Sequence, residues 1–131
     1  MKRKNILIYS VIILVVILLI LVARRRYAHE RLIYSKLDTV CFEKDILSIF
    51  IKNCAAAGCH DQQSRSGSYK FVDYNSIMKG VIPFKPEKSM VYKSIISKGA
   101  SSMPPGLELA EKERLLITIW IGQGAGNTKC P

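Results

Sequence analysis

An uncharged run of nineteen residues, NILIYSVIILVVILLILVA from Asn5 to Ala23, constrains this chain more than any other feature. A helix needs about 20 apolar residues to cross a hydrocarbon core about 30 Å thick, and the run is close to that length. Met1-Lys2-Arg3-Lys4 precedes it and Arg24-Arg25-Arg26 ends it. A cleaved signal peptide has a shorter apolar region, about 7–15 residues, followed by small residues at the cleavage site. Here RRRYAHE follows, so the expectation is an uncleaved membrane anchor over residues 1–23. Both flanks are basic, so charge alone leaves its orientation open. No glycine or proline occurs before Gly58, and ARRRYAHERLIYSKLD is rich in good helix formers. Residues 24–40 are expected to be either a helical stalk reaching about Lys36 or a frayed polar linker. His29, within them, is expected to be a solvated side chain rather than a ligand.

The anchor also explains the charge. The 131-residue chain carries +10 at neutral pH, with eight basic against two acidic side chains in the first forty residues and twelve against eight beyond. Most of the basic excess flanks the apolar block, as membrane-surface charge does. No basic stripe with interleaved aromatics occurs, so no nucleic-acid partner is expected. Residues 41–131 then form a small soluble domain. A domain of that size buries a modest core and usually needs a staple, a metal or a cofactor.

Short helices are predicted in that domain. Asp45 to Asn53 carries Ile46, Ile49 and Phe50 at helical spacing, with Asp45 as a plausible N-cap. Asp73 is placed to cap a helix from Tyr74 to Lys79, ended by Gly80. Pro86-Glu87-Lys88-Ser89 opens another, Ser89 to Lys98, ended by Gly99. Glu111 to Gln123 is the clearest, with Leu115, Leu116, Ile119 and Trp120 as its buried face and Gly122 or Gly124 as its stop. Strand signals are weak, so the fold class expected is all-α. The Gly122-x-Gly124-x-Gly126 spacing follows a helix and precedes none, which is the wrong context for a nucleotide loop.

The chemistry centres on Cys54-Ala55-Ala56-Ala57-Gly58-Cys59-His60. Covalent haem attachment needs two thiols and a histidine directly after the second, usually as C-x-x-C-H. Here two further small residues intervene. The motif alone therefore leaves two readings open, haem attachment and structural cysteines beside a chance histidine. Met103-Pro104-Pro105 adds context, because an electron-transferring haem c commonly takes a thioether as its second axial ligand. Consecutive prolines restrict the backbone and hold the preceding residue in an extended loop. Met78 and Met90 are rivals to Met103, but both sit at helical positions and read as core packing.

From about Val40 to Pro131 the chain resembles a class I-type cytochrome c domain, most closely the small planctomycete-type domain also found in Bacteroidetes-like bacteria. The resemblance rests on VCFEKDILSIFIKNCAAAGCHD, the Asp73-Tyr74 turn, the Met103-Pro104-Pro105 loop and IWIGQGAGNTKCP. It implies an all-helical domain with one covalently bound haem c. Cys54 and Cys59 would be its thioether links, His60 the proximal and Met103 the distal iron ligand. It implies that the first and last helices of the domain cross, with Phe50 near Trp120. Ala110 departs from the family, which usually caps the last helix there with Ser or Thr. If those helices cross, Cys41 and Cys130 come together. A disulfide between them would contribute up to about 4–5 kcal/mol in the chain-entropy model and fit an extracytoplasmic location. A zinc site built from Cys41, Cys54, Cys59 and His60 is the rival constellation, though adjacent Cys59 and His60 are awkward ligands for one tetrahedral ion and paired C-x-x-C knuckles are missing.

The resulting expectation is a single-pass protein of the bacterial inner membrane with its haem domain on the periplasmic side. It would be a one-electron carrier between redox protein partners, a donor complex and a terminal acceptor, without substrate chemistry of its own. The alternatives are a haem-based sensor or ligand-binding module on a membrane stem, and a non-haem interaction domain stapled by disulfides.

Overall fold

Nineteen consecutive apolar or uncharged residues without glycine or proline have one economical backbone solution in hydrocarbon, a helix that satisfies every amide internally. The computed structural model describes Lys2 to Cys130 and places a continuous helix, α1, over Lys2–Ser35. Met1 and Pro131, the outer bounds expected for the anchor and for the haem domain, lie outside the described residues. Within α1 the stretch Asn5–Ser35 is long and apolar enough to cross a membrane, a test that a signal sequence also passes. His29 lies on α1, exposed. The chain divides into two compact units, one through Ile33 and one from Tyr34 onward.

The second unit is all-helical, with no strand among the described residues. It begins at Tyr34 rather than Cys41 because its last turns hold that segment. The Gln123 amide nitrogen donates to the carbonyls of Tyr34, Leu37 and Asp38, and its Oε1 accepts from the Val40 N–H at 3.0 Å. Thr128 Oγ1 accepts from the Phe42 N–H at 3.1 Å. Cys41 and Cys130 form the expected disulfide, with Cα atoms 5.8 Å apart, inside the range such bridges use.

After a π-helical turn over Phe42–Ile46 comes α2, Leu47–Asn53. Asp45 is not the cap of α2. It lies inside the turn, and its Oδ2 reaches back to accept the Cys41 N–H at 2.9 Å. The helical segment thus starts earlier than its apolar spacing indicates, and the carboxylate satisfies a donor at that earlier start. Helix α3, Tyr74–Ile77, has the expected Asp73 cap, reinforced reciprocally by Ser76, and tightens into a 3₁₀ turn at Met78–Gly80. Helix α4, Met90–Ile96, is shorter than expected at both ends. Ser89, at its start, turns its hydroxyl inward to the backbone of Ile82 and Lys85. Helix α5 covers Glu111–Gly122, and Ala110 supplies no side-chain cap. Gly124, at φ +107°, ends it: its N–H donates to Ile121 and the following Ala125 N–H to Trp120. That is the paired closure in which a left-handed residue satisfies two helix carbonyls.

The core gathers Phe42, Ile46, Ile49, Phe50, Ile77, Ile117, Trp120 and Ile121. The buried face of α5 is Ile117, Trp120 and Ile121, with Leu116 and Ile119 at its margin, whereas Leu115 is 56% exposed. Phe50 and Trp120 share this core, and Trp120 pairs with Phe42 at 5.6 Å between ring centroids. Phe50 pairs with Phe71 at 5.4 Å.

Candidate cofactor site

At the end of α2 the chain reverses at once. The N–H groups of Cys54 and Ala55 both donate to the Phe50 carbonyl, that of Cys59 to Ala56, and that of His60 back to Cys54 at 3.2 Å. The longer cysteine spacing is absorbed as a closed loop that returns His60 to the backbone of Cys54. Gly58 sits in it at φ +84°, a conformation other residues rarely adopt. Asp61 clamps the loop: its Oδ2 accepts from the Gly58 N–H at 2.9 Å, and its Oδ1 from the N–H groups of Gln63 at 2.7 Å and Ser64 at 2.8 Å. These donors, the Ser64 backbone first, hold the Asp61 carboxyl down at about 2.

His60 is oriented from the far side of that loop. Its Nδ1 lies 3.1 Å from the Tyr69 carbonyl oxygen. A carbonyl only accepts, so Nδ1 carries the proton and the lone pair of the ring is on Nε2. This is how proteins fix a metal-binding imidazole, one nitrogen held by an acceptor and the other presented to the metal. The Phe71 N–H donates to the His60 carbonyl at 2.8 Å, and the two rings lie 4.8 Å apart.

Cys54, Cys59, His60 and Met103 all line one cavity of about 390 Å³. Phe50, Tyr69 and Phe71 wall it from one set of elements, Val91 and Ile95 from α4, and Pro104 and Pro105 from the loop that carries Met103. Met103 is 36% exposed, and its N–H donates to the Ser94 carbonyl of α4 at 3.0 Å. Met78 packs partly buried against the core. Met90 does not: it is 54% exposed and lines the cavity, because the first turn of α4 turns that position toward the opening rather than inward.

Burial pushes the Cys54 thiol up to about 12, with the Glu113 carboxylate and Cys59 adding to the effect. Glu113 is itself held by Asn53 Nδ2 at 3.3 Å and by Lys52 Nζ at 3.4 Å. Cys41, the fourth donor of the zinc alternative, is in the disulfide. No group of three or more His, Cys, Asp or Glu that could hold a metal ion occurs among the described residues. A haem does not require such a group, because its macrocycle brings its own nitrogen ligands. It requires two thiols, an oriented imidazole and apolar walls, and the residues lining this cavity fit that requirement.

Neither the Tyr69 carbonyl nor Asp61 is among the site residues expected from the sequence. A backbone carbonyl nine positions beyond His60 leaves no mark in composition. Asp61 followed three residues later by Ser64 is a recognisable Asx-type turn signal and was legible. The chain matches no family model, no curated protein and no solved structure with which it was compared.

Proposed function

We propose that this chain is a membrane-anchored monohaem c-type cytochrome that passes single electrons between redox protein partners outside the cytoplasm. The observation that carries the proposal is the convergence of Cys54, Cys59, His60 and Met103 on one apolar cavity, with the His60 tautomer set by Tyr69. When bound, the haem supplies a reversible one-electron couple. Cys54 and Cys59 would hold it as thioethers, and His60 and Met103 would ligate its iron. That pairing would leave no open site for oxygen or peroxide chemistry and would favour a raised potential. The phenylalanine, valine and isoleucine walls are apolar, which favours the less charged, reduced state. The Cys41–Cys130 disulfide fits an oxidising compartment, and the Asn5–Ser35 stretch fits a single membrane span. Together they support a cytoplasmic N-terminus in a bacterial inner membrane and a haem domain on the periplasmic side.

A redox titration of the purified full chain tests this. One reversible one-electron wave is expected, the ferrous protein should resist carbon monoxide, and Met103→His should lower the midpoint potential, because imidazole donates better than thioether to ferric iron. Wild-type protein that binds carbon monoxide readily and lacks the weak long-wavelength ferric band of an iron–thioether bond would overturn the electron-carrier reading and put the sensor reading in its place.

A further inference from the structure

Two methionines, not one, open into the cavity. Met103 comes from the loop before Pro104-Pro105, and Met90 from the first turn of α4. They are brought to one place by a hydrogen bond. The Met103 N–H is bound at 3.0 Å to the carbonyl of Ser94, and Ser94 follows Met90 by four positions on the same helix. Residues so spaced are neighbours on one helix face, about 5–6 Å apart at Cβ. The docking point of the Met103 loop and the root of the Met90 side chain are thus about one helical turn apart, and each side chain has three rotatable bonds and a terminal thioether. Both are substantially exposed, Met90 at 54% and Met103 at 36%. The buried positions of α4, Val91 and Ile95, are aliphatic. An unbranched, polarisable sulfur side chain left reaching into an opening is poor core packing, and it is a competent soft donor.

We infer that Met90 is a second thioether donor to the same centre, able to take the distal iron position when Met103 leaves it. The inference rests on the haem reading proposed above. In the exchange one iron–sulfur bond breaks and another of the same type forms, with no electron or proton transferred. A position served by two thioethers stays closed to small ligands even when the Met103 loop moves away. It would keep the centre in electron-transfer service and out of oxygen chemistry.

The test compares Met103→Ala with Met90→Leu/Met103→Ala in the haem-loaded full chain, read by the ferric iron–thioether band and by carbon monoxide affinity of the ferrous form. Met103→Leu and Met90→Leu/Met103→Leu, which keep the volume at position 103, are read beside them so that a collapsed loop is not mistaken for a lost donor. Met78→Leu/Met103→Ala controls for loss of any methionine. The expected result is that the Met103 variants keep a thioether band, and that adding Met90→Leu abolishes it and raises carbon monoxide affinity about tenfold or more. That factor is what a donor holding the position roughly nine-tenths of the time imposes on a competitor. Adding Met78→Leu should do neither. If the Met103 variants lose the band and bind carbon monoxide as tightly as the double variants, Met90 is no donor and the inference is wrong, while the haem reading stands. A band that survives in the double variants also overturns it. If wild-type protein carries no covalent haem, the functional reading fails first and the inference with it.

Discussion

Single residues set the site before any element does. The Asp61 carboxylate accepts three backbone N–H groups around Cys59 and His60, and nothing else in the loop replaces them all. Asp61→Ala should therefore lower the fraction of chains carrying haem on both cysteines, measured by peptide mass mapping. In haem-free protein it should speed amide exchange at Gly58, Gln63 and Ser64. Unchanged exchange at all three would show that the clamp is dispensable. Asp73 gives a second residue-scale prediction. The Ser76 backbone N–H, and with it Lys70, hold its carboxyl below the usual carboxylate range. A depressed carboxyl contributes stability that is present above the unfolded value, near 4, and is lost as pH falls through the folded one. Asp73→Ala should cost about 1 kcal/mol near neutrality, as lost caps do, and the deficit should shrink as acid protonates the wild-type carboxyl. A deficit that is constant down to acid pH would mean that the cap is not acting as a charged group. The cysteine pair, the following histidine and the Met103-Pro104-Pro105 loop were legible because each is a chemically rare pattern in a short chain. Met90 was not, since a methionine at a helical position looks the same in sequence whether its helix turns it toward a core or toward an opening.

At the scale of elements, the sequence located the helices better than their faces and ends. In α5 every position from Leu115 to Ile121 except Thr118 is apolar, so helical spacing is satisfied by more than one stripe and the phase is undetermined. Packing chose Ile117, Trp120 and Ile121. Ile117→Ala should cost about 2–5 kcal/mol by leaving a cavity. Leu115→Ala, at a position 56% exposed, should cost well under that. Denaturant titration of both variants checks the assignment, and equal losses would contradict it. The start of α2 was missed for a similar reason: an Asp before an apolar run reads as a cap, and only the fold shows that the helix has already begun at Phe42 with Asp45 reaching backward. The Phe42–Trp120 pairing was invisible for the same cause, because it depends on that extra turn being helical.

Over the whole molecule, the all-α class and the apolar N-terminal helix were legible from hydropathy and helix formers alone. The extent of the second unit was not. Its boundary at Tyr34 is set by Gln123, whose side chain reaches three carbonyls far away in sequence. The disulfide then closes the unit across 89 residues. Cys41→Ser should cost about 2–4 kcal/mol, a fall of about 10 °C or more in Tm for a unit of this size, with the oxidised haem spectrum nearly unchanged because neither cysteine lines the cavity. A shifted spectrum would tie the staple to the site itself. Covalent attachment of a haem to Cys54 and Cys59 is read out by the intact mass of the denatured full chain from a host that attaches haem c. The expected mass is that of one haem beyond the polypeptide, with Cys54 and Cys59 both blocked to thiol reagents and the peptide spanning His60 carrying the addition. A chain at bare polypeptide mass, with both thiols free and no Soret absorption before denaturation, would contradict it.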